Sequence, residues 1–249
     1  MDEIEVHFFT EEPIRADVLI EGLPGIGQVG KLVAEHAISQ LDARLVAEIY
    51  SHHFPPQVII GPDGVTRLAN NQIYQATISG KEYLFLVGDF QSTSAEGHYA
   101  LAGCYLDLAL DAGVSRLYTL GGYGVGHLVD RPRVFAAVTI PELRTEVEAA
   151  GGQFFAEDES GGGIVGASGL LLGMGALVGM EGICLMGETS GYLVDPKSAH
   201  CLLEVLSAMT GMAIDPTTLQ ERAQEMERMI ARVQEAEHAA RDEELSYIG

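Results

Sequence analysis

Short apolar runs of strand length alternate with helix-length stretches along this chain, and that alternation limits the fold more than any other feature. Residues 17–21 read as a strand, 29–40 as a helix and 44–50 as a second strand. After the Phe54-Pro55-Pro56 break, residues 57–60, 65–69, 72–78 and 82–87 read as short strands. Turns at Gly61-Pro62-Asp63-Gly64 and Ser79-Gly80-Lys81 imply hairpins among them. A helix over 97–112 and a strand over 117–120 follow. Next come a short helix over 141–150, a strand over 183–186 and a helix over 198–209. Strand–helix alternation with a hairpin inset predicts a three-layer α/β/α sandwich around a mixed sheet. With no internal repeat and no Pro/Ser-rich linker, one domain over 1–214 is expected, and 215–249 form a C-terminal helical extension and tail.

From Pro216 to Ala240 apolar residues recur at alternating steps of four and three: Leu219, Ala223, Met226, Ile230, Val233 and Ala240, with Glu237 breaking the series. That spacing draws one apolar stripe along a helix of roughly 37 Å at ~1.5 Å per residue. Such a helix either closes the domain's own core or carries the terminal Tyr247-Ile248-Gly249 toward a partner.

Fourteen Lys+Arg against 36 Asp+Glu give a net charge of −22. Phosphate contacts depend on Lys and Arg, so nucleic acid and anionic lipid are not expected partners. Cys104, Cys184 and Cys201 are odd in number and widely spaced, and read as reduced core residues of a cytoplasmic protein. The acidic start, Met1-Asp2-Glu3-Ile4-Glu5, does not read as a secretory signal. Residues 164–180 lack charge and contain two GxxxG patterns, yet they fall short of the ~20 residues a membrane span requires. Acidic flanks argue the same way, so a buried helix is expected there.

Gly25-Ile26-Gly27-Gln28-Val29-Gly30 matches GxGxxG between a strand and a helix, with Glu48 about twenty residues on. The same glycines also suit a tight turn with close helix–sheet packing, and hairpins rather than further parallel units follow. Gly121-Gly122-Tyr123-Gly124-Val125-Gly126 reads as a second glycine loop, with Arg131 and Arg133 behind it. That loop either holds an anion or pairs its arginines with some of the many acids. Asp89 and Glu188 follow apolar strands, where α/β sheets place ligands, with Ser92 and Ser190 nearby. No G-x-S-x-G elbow occurs and no His is placed by sequence to activate a serine. Gly25, Gly27, Gly30, Asp89, Gly122 and Gly124 therefore form a candidate ligand loop, without catalytic residues, cofactor or metal. His52 and His53 are adjacent and would point to opposite faces of a strand, so they do not share an ion.

Five segments occur in order: Leu23-Pro24-Gly25-Ile26-Gly27-Gln28-Val29-Gly30; Ser51-His52-His53-Phe54-Pro55-Pro56; Gly121-Gly122-Tyr123-Gly124; Gly166-Ala167-Ser168-Gly169-Leu170-Leu171-Leu172-Gly173; and Gly182-Ile183-Cys184-Leu185-Met186-Gly187-Glu188-Thr189, continuing through Gly191-Tyr192-Leu193-Val194-Asp195-Pro196-Lys197. Together they resemble the proteasome assembly chaperone 2 family in its archaeal form, from about residue 10 to the end. The resemblance implies an α/β/α fold similar to nucleoside phosphorylases without their catalytic groups. It also implies a homo-oligomer, with a trimer favoured, and a non-enzymatic role in assembling proteasome α subunits. Some members carry a C-terminal hydrophobic-Tyr-any motif whose carboxylate enters pockets between α subunits. Here Tyr247 is third from the end and Ser246 precedes it, a departure from that pattern. Leu245, Tyr247, Ile248 and Gly249 are the corresponding partner-binding candidates. The apolar stretch 164–179 is expected to contribute to self-association. The competing reading is an enzyme or small-ligand binder at the strand ends, acting on nucleosides or phosphorylated metabolites.

Overall fold

A run such as Tyr83-Leu84-Phe85-Leu86-Val87 has no polar face, so it must be covered on both sides. In the computed structural model, which describes residues 3–156, 162–226, 228 and 229, this is how the centre of the sheet is built. Strands β1 (Ile4–Phe8), β2 (Val18–Glu21), β3 (Arg44–Ser51), β6 (Asn71–Ile78), β7 (Lys81–Gly88), β8 (Arg116–Gly124), β9 (Val134–Val138) and β10 (Glu181–Thr189) form one sheet. Its order is β1-β3-β6-β7-β2-β8-β10-β9. The middle strands β7, β2, β8 and β10 are parallel, and antiparallel strands flank them on both sides. The remaining pair, β4 (Val58–Ile60) and β5 (Thr66–Leu68), is the separate hairpin signalled by the Gly61–Gly64 turn.

Helices α1 (Val29–Gln40), α3 (Arg144–Ala149) and α5 (Pro196–Thr210) cover one face, where Val33, Val147 and Leu202 meet Phe85, Leu120 and Leu185. Helices α2 (Ala95–Ala112) and α4 (Ala167–Leu177) cover the other, where Leu101, Tyr105 and Leu171 meet Leu19, Leu86 and Leu117. The sheet is therefore the middle layer of three, as the alternation predicts. Residues 217–226 are helical, and Leu219 at their start is fully buried in the α1/α5 core. The rest of the expected terminal helix, with Leu245, Tyr247, Ile248 and Gly249, lies outside the described residues.

Two points differ from the sequence reading, and a third agrees with it. Residues 121–124 are not a loop but the last rungs of β8, paired with Met186–Thr189 of β10. Strands β1 and β9 are additional to those expected, although Ile4–Phe8 alternates apolar and polar residues and Val134–Val138 is apolar throughout. Each lies at an edge, and β1 leaves Phe8 exposed. The uncharged stretch 164–180 contains α4 of only 11 residues, and no helix among the described residues is long and apolar enough to cross a membrane.

Glycine decides how closely α1 approaches the sheet. A Cβ at Gly30 would lie 2.1 Å from the Leu120 carbonyl oxygen, and one at Gly22 would lie 2.5 Å from Ala34 Cβ. Neither obstacle is a flexible chain end, so a larger residue must push helix and strand apart. Gly103, in the middle of α2, has no heavy atom in the path of an added Cβ. Gly30→Ala is expected to cost about 1–3 kcal/mol through overpacking. Gly103→Ala is expected to gain about 0.5–1 kcal/mol of helix propensity. Urea unfolding of both variants checks the contrast; equal effects would mean that α1 is free to shift.

Candidate functional site

The parallel strands β2, β8 and β10 end at one edge of the sheet, where α/β folds place ligands. A cavity of ≈ 540 Å³ opens there. Its floor is Leu120–Gly124 of β8 with Cys184 and Met186 of β10, and its walls are Leu23–Ile26 and the residues leading into α4. Side-chain bonds position those walls. Gln91, just after β7, donates from Nε2 to the Pro24 carbonyl (2.8 Å) and accepts at Oε1 from the Ala167 amide (2.9 Å). One residue thus ties the β2–α1 connection to the first turn of α4. On the far side, the Asp195 amide donates to the Gly27 carbonyl (2.9 Å). The Asp195 carboxylate accepts from the Thr189 hydroxyl (2.7 Å) and caps α5 through the Ser198 amide (2.9 Å).

Of the candidate loop residues, Gly25, Gly122 and Gly124 line the cavity. Gly27 does not face it; its φ of 62° sets the turn, and a Cβ there would meet Thr189 Oγ1 at 2.9 Å. Gly30 packs on β8. The GxGxxG turn is therefore filled by its own protein neighbours, which is the packing reading of that motif. Asp89 stands apart, its carboxylate gripped by both terminal nitrogens of Arg67 (one at 2.8 Å) and by the Asn70 amide (3.0 Å). Partial burial acts to raise the Asp89 carboxyl, but the Arg67 guanidinium and Asn70 amide outweigh it and hold its pKa below the ordinary value.

Arg133 and Glu188 find each other rather than an external anion. The guanidinium donates to Glu188 at 2.8 and 3.1 Å and lies 4.6 Å from the Phe135 ring centre. Hydrogen bonding to Arg133 lowers the Glu188 pKa. Glu48 bonds Tyr50 Oη (2.7 Å) on β3, away from the cavity. Asp89 and Glu188 thus sit in separate ion pairs and do not form an acid/base couple. His53 does approach a serine, with Nδ1 3.4 Å from Ser94 Oγ and Nε2 2.8 Å from Glu3. Ser94 is nevertheless the cap of α2, accepting from the Gly97 amide at 3.1 Å, and it lies on the surface outside the cavity. Among the described residues no group of three His, Cys, Asp or Glu side chains is placed to hold a metal ion.

The residue that sequence reasoning missed is Glu21. It sits at the end of β2, fully buried, beneath the cavity wall. Its carboxylate accepts from the Leu23 amide (2.9 Å), from Ser168 Oγ in the first turn of α4 (2.8 Å) and from the Leu120 amide. Burial pushes its pKa up from 4.5 to about 7, against the pull of these donors. In sequence it is simply the acidic end of an apolar strand, and only the covering by α4 makes it an interior carboxyl. Cys184 is likewise pushed up to about 12 by burial, so it is an unreactive thiol.

Because the unfolded chain returns Glu21 to its ordinary value, the folded state holds the extra proton between pH 4.5 and about 7. The stability this group contributes is fully present below pH 4.5 and is lost as pH rises through 7. Glu21→Gln carries no such charge. Its unfolding free energy relative to wild type is expected to grow by on the order of 3 kcal/mol from about pH 4.5 to about pH 8. Urea titrations across that range measure the difference, and a flat difference would mean that Glu21 ionises like a surface carboxyl.

Residues 19–234 match the PAC2 family. The uncharacterized protein MJ1210 of Methanocaldococcus jannaschii is 38% identical over 247 residues, a match covering 96% of this chain and 94% of that protein. Among solved structures, Pyrococcus furiosus PbaB, an archaeal proteasome activator, is similar with a TM-score of 0.88 at 40% identity, covering 94% of this chain and 100% of that one. Pyrococcus furiosus PbaA, an archaeal homolog of proteasome-assembly chaperone, shares the fold with a TM-score of 0.79 at 24% identity, covering 97% and 96%. On a match that spans most of its length, the chain belongs to the PAC2 family.

Proposed function

We propose that this protein is a non-enzymatic, nucleotide-independent factor that self-associates and binds proteasome α subunits to promote their assembly. The observation that carries the reading is the 40% identity, over nearly the whole chain, to a structure described as an archaeal proteasome activator. The site geometry supports the same side. Gly27 and Gly30 are packed against Thr189 and Leu120 rather than open to a phosphate, and Asp89 and Glu188 are held in separate ion pairs.

In this reading residues 1–214 form the body and 215–249 the extension, with Leu245, Tyr247, Ile248 and Gly249 contacting the partner. Self-association uses apolar surface, since a net charge of −22 makes like surfaces repel unless charge is kept to the rim. The end of α4 offers such surface. Leu177 is 86% exposed and Val178 51%, whereas Leu171 on the same helix is fully buried and belongs to the core.

Size-exclusion chromatography with light scattering, with and without α subunits from the same source, tests the proposal. A defined larger complex is expected. A stable homo-oligomer that ignores both free α subunits and assembled particles would overturn the reading. Binding only to assembled particles would make the protein an activator rather than an assembly factor. Deleting Ser246–Gly249 is expected to leave the melting temperature unchanged and weaken α-subunit binding; undiminished binding would remove the tail from the interface. Leu177→Glu with Val178→Glu is expected to leave folding intact and reduce oligomer size. Unchanged size would place the self-interface elsewhere.

A further inference from the structure

Gly121 has no structural reason to be glycine. Its φ is not in the left-handed region, and no heavy atom of the described residues lies within 4 Å of where its Cβ would stand. Its neighbour differs, since a Cβ at Gly122 would collide with the Ile26 carbonyl oxygen at 2.3 Å. A glycine inside a strand weakens it, and one with no conformational or packing role marks close approach by another molecule. Gly121 lies on the floor of the strand-end cavity, level in register with Met186 on β10.

The chemistry of that cavity narrows its occupant. Among the described residues no Asp, Glu, Lys or Arg lines it, although the chain carries 14 basic and 36 acidic side chains. Glu21 lies just beneath, behind Ser168, so an anion is further disfavoured. Two of the polar side chains in the wall are already engaged: Gln91 bonds Pro24 and Ala167, and Ser168 bonds Glu21. What remains for an occupant is the His98 side chain on α2, a bare glycine backbone, the Met186 sulfur, the Tyr123 ring and apolar side chains such as Ile164. Sulfur and peptide planes suit the face or edge of an aromatic ring. The volume of ≈ 540 Å³ lies within the usual range for small-molecule sites.

We infer that the strand-end cavity is a binding site for an uncharged aromatic small molecule, seated on Gly121 between Met186 and Tyr123. This site is separate from the proteasome-binding reading and does not depend on it. Phosphorylated ligands, which the glycine motifs suggest, suit it less well, because no Lys or Arg among the described residues lines it.

Two dyes that share a ring system test the inference: neutral N-phenyl-1-naphthylamine and the anionic 1-anilinonaphthalene-8-sulfonate. The neutral dye is expected to bind one per chain, at least about tenfold tighter than the sulfonate, with that affinity falling about tenfold or more in Gly121→Val. The valine side chain occupies open space and suits a strand, so the variant is expected to melt no earlier than wild type. Gly121→Ala gives the smaller step should the larger one perturb folding. Equal affinity for the two dyes, no binding of the neutral one, or unchanged binding to the Gly121 variants would overturn the proposal. Proteasome binding measured on the same variants is expected to be unchanged, which keeps failure of this site distinct from failure of the functional proposal.

Discussion

Helix α1 rests on the sheet at backbone contact, and the arrangement of the strand-end edge follows from that closeness. With Gly30 against the Leu120 carbonyl and Gly22 beneath Ala34, the α1 axis sits nearer the sheet than any side chain would allow. The chain leaving β2 must therefore turn tightly through Leu23–Ile26, and it does so across the end of β8, where Gly122 accepts the Ile26 carbonyl at van der Waals range. The turn that resembles a nucleotide-binding loop is thereby made part of the wall of a cavity.

A second level of organisation is polar. Glu21 and Gln91 accept from donors in α4, Gln91 also donates to the Pro24 carbonyl, and Asp195 caps α5 while its amide donates to the Gly27 carbonyl, so these residues set where α4, α1 and α5 begin. A buried polar group left without partners is costly, so these bonds specify one arrangement among several that apolar packing alone would tolerate. Glu21 is the extreme case: neutral donors surround it and no cation among the described residues pairs with it, which is why burial dominates its ionisation. The contrast with the overall composition is sharp, since the chain is strongly acidic while no Asp, Glu, Lys or Arg among the described residues lines the cavity.

Much of the fold was legible because local pattern and tertiary position agree. Helix α1 occupies the span its pattern predicts, and the hairpins at Gly61–Gly64 and Ser79–Lys81 form where their turn residues require. Positive φ at Gly80 shows why a glycine stands there. What was misread depended on neighbours. Gly121–Gly124 read as a loop because glycine disfavours strands, yet pairing with β10 carries β8 through them. The glycines of 25–30 match a ligand-cradle motif but read better as a packing device, and Thr189 and Leu120 meet two of them as packing requires. Asp89 and Glu188 stood out because each follows an apolar strand, but Arg67 and Arg133 hold them in separate ion pairs.

The sequence by itself determined the α/β alternation, the hairpin inset, the acidic surface and the family resemblance, because each rests on residue types and spacings that need no knowledge of what lies opposite. The tertiary structure alone decided which glycines are filled by neighbours and which stand open, that an acid at the end of β2 is an interior carboxyl, and that among the described residues no Asp, Glu, Lys or Arg lines the strand-end cavity. Those properties belong to pairs of elements far apart in the chain, and contact across that separation is set by packing rather than by local pattern.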